Sequence, residues 1–193
     1  MRRIIVAITG ATGSIYGISL LRALRSIPHI QSHLIVSSAG SICISSELGM
    51  PRPEVLSLAD THYSDQDIGA AIASGSFRTD AMIIAPCSMN SLACIATGVS
   101  GTLIARSAEV ILKERRRLIL LTRETPLSLV HLRNMTTVSE MGGIIFPPLP
   151  TFYSNPSSID DMVSHTLGHV LNLCEIENDL FPAWSGLKKS PAK

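Results

Sequence analysis

Two short segments carry the residue types that could cradle a phosphate. Thr9-Gly10-Ala11-Thr12-Gly13-Ser14 joins a run of β-branched residues to a helical pattern, and Pro86-Cys87-Ser88-Met89-Asn90-Ser91 does the same later in the chain. Glycines let a backbone approach a ligand closely, and the first turn of a helix offers unpaired N–H groups to anionic atoms. The first loop spaces its glycines as GxxG, whereas a dinucleotide fingerprint reads GxGxxG with an Asp or Glu closing the second strand to hold a ribose. Here that strand ends in Ser37-Ser38, which argues against NAD. The second loop offers small hydroxyl and amide groups in place of a lysine. Taken singly, the segments are a tight turn and an ordinary helix cap. Taken together at one end of a sheet, they favour a mononucleotide such as FMN.

Those loops need a scaffold that brings them to one edge. Residues 3–9 (RIIVAIT) read as a buried strand and 13–26 as a helix that leaves at Pro28. Residues 32–36 read as a second strand, with a helix starting near Ala39, and 51–76 as a less regular excursion. Residues 81–85 give a third strand broken by Pro86, followed by helices at 91–97 and 102–115. A fourth strand at 117–122, a helix at 127–140, a fifth strand at 143–146 and a last helix at 158–173 complete the pattern. Strands alternating with helices imply a parallel sheet with right-handed crossovers. The expected fold is therefore α/β, a single-domain flavodoxin-like or Rossmann-like parallel sheet with helices on both faces. Ligands of such sheets bind beyond the carboxyl ends of the strands, where both candidate loops fall. Residues 1–180 read as the domain and 181–193 as a C-terminal tail, its SGLKKSPAK stretch expected to be disordered.

Composition narrows the function. A chain of 193 residues suits one domain. Apolar residues at 46% against 16% charged fit a sheet buried on both faces, with apolar surface left for subunit contacts. A net charge of +1 gives no basis for binding nucleic acid or an anionic membrane. Cys43, Cys87, Cys94 and Cys174 are scattered without metal-ligand spacing, so the expectation is no metal and reduced thiols in a cytoplasmic protein. No apolar run approaches the ~20 residues that span a bilayer.

Five blocks stand in order along the chain: TGATGSIYG (9–17), ASGSFRTDAMIIAPCSM (73–89), IARSAEVILKERR (104–116), LTRETPLSLVHLRNM (121–135) and PPLPTFYSNP (147–156). Together they resemble the flavin prenyltransferase family of UbiX/Pad type, and SGSFRTD with Ile68 resembles its phenolic-acid branch. The resemblance implies a flavodoxin-like homo-oligomer, usually a dodecamer, holding FMN at subunit interfaces. It implies transfer of a dimethylallyl group from dimethylallyl phosphate to N5 and C6 of reduced FMN. The prenylated FMN then passes to a UbiD-type decarboxylase. Gly10, Ala11 and Thr12 match the family's flavin loop, Ser37 a flavin contact, and Ser88, Met89, Asn90 and Ser91 the FMN-phosphate loop. Arg123 matches a further FMN contact; Lys113, Glu124 and Tyr153 match the prenyl-phosphate site; Glu47 matches an acidic residue linked to catalysis.

The implied reaction detaches phosphate from an allylic carbon, so cations must hold the leaving group and a proton must reach it. In that reading Lys113 is a point charge, Arg123 a planar fork of donors, Glu124 a proton shuttle and Tyr153 a donor to a phosphate oxygen. His169 stands where the family usually has arginine. Histidine as a type changes charge near neutral pH, which implies a weaker or pH-dependent phosphate clamp, or a somewhat different prenyl donor. By residue type alone, Lys113 in KERRR is a solvated helix end, Arg123 and Glu124 a surface pair, Tyr153 a packing residue as much as a donor, and His131 structural.

Two other functions fit such a fold. A flavin-dependent cysteine decarboxylase needs an early histidine and a PxMNxxMW-type segment, and PCSMNSLAC here lacks the tryptophan. A non-catalytic carrier would bind FMN and release it unchanged.

Overall fold

Alternating burial starts the fold. In β1 (Arg2–Ile8), Ile4, Val6 and Ile8 belong to one core cluster and Ile5 and Ala7 to another, and all five are buried. A strand apolar on both sides must be covered on both faces. β2 (Ile30–Val36), β4 (Ala81–Cys87) and β5 (Arg117–Thr122) repeat the pattern. With β3 (Thr61–Ser64) and β6 (Ile144–Ile145) at the edges, six parallel strands pair in the order β3-β2-β1-β4-β5-β6. This is the doubly wound Rossmann order. The computed structural model describes residues 1–181 and Gly186; apart from Phe181 and Gly186, the expected tail lies outside the described residues.

The two clusters are the two faces. α1 (Ser14–Ser26), α2 (Ser38–Leu48), α3 (Arg52–Leu56) and α7 (Ile159–Leu173) bury side chains on one. α4 (Met89–Thr97), α5 (Leu103–Lys113) and α6 (Leu129–Glu140) cover the other. Most of these helices begin at a hydroxyl cap: Ser37, Ser88, Thr102, Ser128 and Ser158 each accept a hydrogen bond from the first turn. His131 closes a capping box with Ser128, a structural role of the kind expected for it.

Two expectations need correction. The excursion at 51–76 contains α3 and the edge strand β3, so the sheet has six strands rather than five. β3 reads Thr-His-Tyr-Ser, with every other residue exposed; four polar-leaning residues at an edge give neither an apolar run nor a clear period. The third strand does not break at Pro86 but runs on to Cys87, its register with β5 shifting between Ile84 and Cys87. Proline withholds an N–H from the ladder, and the Pro86 carbonyl still accepts from the Thr9 amide at 3.2 Å. Among the described residues no helix is long and apolar enough to cross a membrane.

Candidate active site

β1 and β4 are neighbours in the sheet, yet they lead into α1 and α4 on opposite faces. A cleft of about 480 Å³ opens at that parting, at the strands' carboxyl ends where this topology places ligands. Thr9 links its two sides. The buried hydroxyl donates to the Pro86 carbonyl at 2.8 Å and accepts from the Ser88 amide at 2.8 Å. Gly10 follows, and a Cβ there would overlap the Cβ of Ala39 at the start of α2. Glycine is what lets this loop lie against that helix.

The start of each helix supplies part of the wall. Ser37, Ser38 and Ala39 come from α2, Ser88, Met89, Asn90, Ser91 and Cys94 from α4, and Thr102, Ile104 and Ala105 from α5. Asp65, just past β3, and Glu124, just past β5, add two carboxylates. Three helix N-termini therefore face one space, each with partial positive charge. That of α5 is already answered: Asp65 accepts from the Ile104 amide with Oδ1 at 3.0 Å and from the Leu103 amide with its carbonyl at 2.8 Å. The starts of α2 and α4 stay open to the cleft, and that of α4, with the Ser88 and Ser91 hydroxyls 3.1 Å apart, has the donors to hold an anion.

Glu47 stands behind the first loop. α1 begins at Gly13 with φ 99 and no side-chain cap of its own, and the Glu47 carboxylate takes that place. It accepts from the amides of Gly13 at 3.1 Å and Ser14 at 2.8 Å. Burial raises its pKa, but hydrogen bonds from Thr12, Ser14 and Gly13 outweigh that and hold it below the ordinary carboxylate value.

A second group gathers around α7. Burial raises the Tyr16 phenol, while the Thr166 hydroxyl and the Arg123 charge pull it part of the way back. The phenol therefore stays protonated at neutral pH. His165 meets the Tyr153 ring edge-on at 5.6 Å, and His169 meets Phe146 in the same manner at 5.3 Å.

The flavoprotein family model matches residues 1–171. Flavin prenyltransferase UbiX of Neisseria meningitidis is 46% identical over 187 residues, 97% of this chain and 98% of that one. The chain belongs to the flavin prenyltransferase family. Its fold superposes on AnUbiX (PadA1), solved in complex with FMN and dimethylallyl pyrophosphate, with a TM-score of 0.94 at 45% identity, covering 97% of this chain and 99% of that one. The dodecameric FMN-dependent UbiX-like decarboxylase of Escherichia coli O157:H7 gives 0.93 at 43% identity, covering 95% and 100%.

In this flavin prenyltransferase chain, Gly10, Ser37, Ser88, Met89, Asn90, Ser91 and Glu124 share one cleft. Ala11 and Thr12 continue the same loop, where the Ala11 amide turns back to the Thr9 carbonyl at 2.9 Å. Arg123 sits beside Glu124 and within electrostatic reach of Tyr16. Tyr153 and His169 join the α7 group rather than the cleft lining. Lys113 is placed elsewhere. It ends α5 and pairs with Glu114 at 2.6 Å, in a surface hollow shared with Glu109, Arg115 and Glu140. Eight residues of helix, about 12 Å, separate it from Ala105 in the cleft. Asp65 and Tyr16 were not legible as site residues: Asp65 follows an unseen strand, and Tyr16 sits in an amphipathic helix. Thr9 heads the first candidate loop, but nothing in the sequence shows that it ties that loop to the second.

Proposed function

We propose that this chain binds FMN in the switch-point cleft and joins a dimethylallyl group from dimethylallyl phosphate to N5 and C6 of the reduced flavin. The observation that carries the reading is the paired-hydroxyl start of α4 opening into the same cleft as the Glu124 carboxylate. Its fit to FMN is supported on two counts. The volume falls within the ~300–1,000 Å³ usual for small-molecule sites, and hydroxyls with backbone donors suit a phosphate monoester.

Reduced FMN, when bound, supplies the nucleophilic ring positions. The chain's own residues do the rest. Ser88, Asn90 and Ser91 hold the flavin phosphate, with Met89 in the same turn. Gly10, Ala11, Thr12 and Ser37 let the ring lie close to the backbone, and Glu47 fixes that loop from behind. Arg123, His169 and Tyr153 hold the donor phosphate, and Glu124 passes a proton to the departing group. Lys113 joins this site from a neighbouring copy in a homo-oligomer, a dodecamer like that of the E. coli relative. The exposed Leu129, Val130 and Leu132 on α6 give such copies an apolar surface to share. The product goes to a UbiD-type decarboxylase in the cytoplasm, where four free thiols stay reduced.

The test is a mass spectrum of flavin extracted after incubation with reduced FMN and dimethylallyl phosphate. A gain of one prenyl unit is expected; recovery of unmodified flavin overturns the reading and leaves a carrier.

A further inference from the structure

The loop between β6 and α7 is held by two ring contacts from one helix. Phe146 meets His169 with ring centroids 5.3 Å apart and planes at 82°, and Tyr153 meets His165 at 5.6 Å and 80°. The two histidines lie four residues apart, so they project from the same side of α7 about 6 Å apart along its axis. Between the contacts, Pro147, Pro148 and Pro150 restrict the chain. Edge-to-face geometry is what aromatic pairs prefer, and it fixes orientation as well as distance.

The two contacts differ in how they are backed. His169 is exposed, whereas His165 is 8% exposed and has Phe181 on it at 4.5 Å. Phe181 lies in turn over Gly168, where any Cβ would overlap its ring. The segment after α7 is pinned by Asn178, which donates to the Gly168 carbonyl at 3.2 Å. Among the described residues the His165 Nε2 has no hydrogen-bond partner, so the ring itself makes the contacts seen. His165 is thus a plate set between the returning chain and the half-exposed Tyr153.

We propose that His165, braced by Phe181, is the positioning residue for Tyr153, setting the orientation of its phenol over the prenyl donor. The proposal rests on the reading of Tyr153 as a donor-phosphate group. His165 acts through Tyr153 and touches neither flavin nor donor. Its contribution is the shape of its ring, so phenylalanine can replace it and alanine cannot.

Two measurements test this on the full chain, with His165→Ala, His165→Phe and Phe181→Ala variants. The first needs no ligand: hydrogen exchange at the Leu149 and Asn155 amides, which bond within the loop to the Pro147 and Phe152 carbonyls. His165→Ala is expected to speed exchange there several-fold, Phe181→Ala to do so less, and His165→Phe to match wild type. The second is prenylation kinetics. His165→Ala is expected to raise KM for dimethylallyl phosphate about three- to tenfold, the range an aromatic pair supports. Its kcat should stay within about twofold and its FMN affinity unchanged, with His165→Phe restoring KM. Unaltered loop exchange in a folded His165→Ala protein overturns the proposal, as does a His165→Phe protein that behaves like the alanine variant. Should the alanine variant not fold, Phe181→Ala and His165→Phe decide alone, and wild-type exchange with wild-type KM in Phe181→Ala counts against the brace. Absence of prenyl transfer in wild type would instead remove the function reading, and the exchange arm would still judge the contact.

Discussion

Glu47 matches, by resemblance, an acidic residue linked to catalysis, and its geometry gives it a mechanical duty. It closes the N-terminus of α1 on behalf of a glycine that cannot. Its folded pKa lies below the ordinary value, so its contribution is complete above the unfolded carboxylate pKa and is lost as pH falls through the folded one. Glu47→Ala is expected to lose about 1 kcal/mol at pH 7, the size of a helix cap. In urea titrations the gap from wild type should close below about pH 4. His169 offers a second residue-scale test. If it holds donor phosphate, His169→Ala is expected to raise KM for the donor several-fold with kcat little changed. A His169→Arg protein should keep the wild-type KM or lower it, and a wild-type KM in His169→Ala would remove His169 from the site.

At the scale of elements, α5 hangs from the end of β3. Asp65 accepts from the amides of Ile104 and Leu103 with its side chain and carbonyl, so an edge strand fixes one wall of the cleft. Asp65→Ala should cost about 1 kcal/mol, read as a melting temperature lowered by about 2–4 °C, together with weaker FMN binding. Thr61–Ser64 also marks where sequence reading stopped. The central strands were legible because Ile4–Ile8, Ala81–Ala85 and Leu118–Leu121 are apolar at every position, and the helix starts because serine and threonine stand before them. Four residues with alternate exposure, paired at one edge by β2, owe their state to the sheet rather than to their own propensity. The cleft residues Gly10, Ser37, Ser88 and Glu124 were legible because strand ends in this topology converge on one side. Asp65 was hidden with its strand, and Lys113 could be named from its block but not located, since no local pattern says which end of a helix meets a ligand.

For the whole molecule, Lys113 and Glu124 line different hollows, so the proposed donor site draws one of them from a neighbouring copy. Lys113→Ala and Glu124→Ala proteins should each be nearly inactive. Mixed oligomers formed from equal amounts should recover about a quarter of wild-type activity, the chance that a site draws an intact residue from each side. Failure to recover any activity would place both residues in one subunit's site. Thr9 carries a different consequence. The gap between β1 and β4 follows from the winding of the chain, so no side chain had to carve it, but something must stop it from gaping. One buried hydroxyl, bonded to Pro86 and Ser88, adds a stitch at the open end of that seam, beyond the strand ladder and the Thr9 amide bond to Pro86. A flavin lying over it would be a further tie, which couples cofactor retention to closure of the seam.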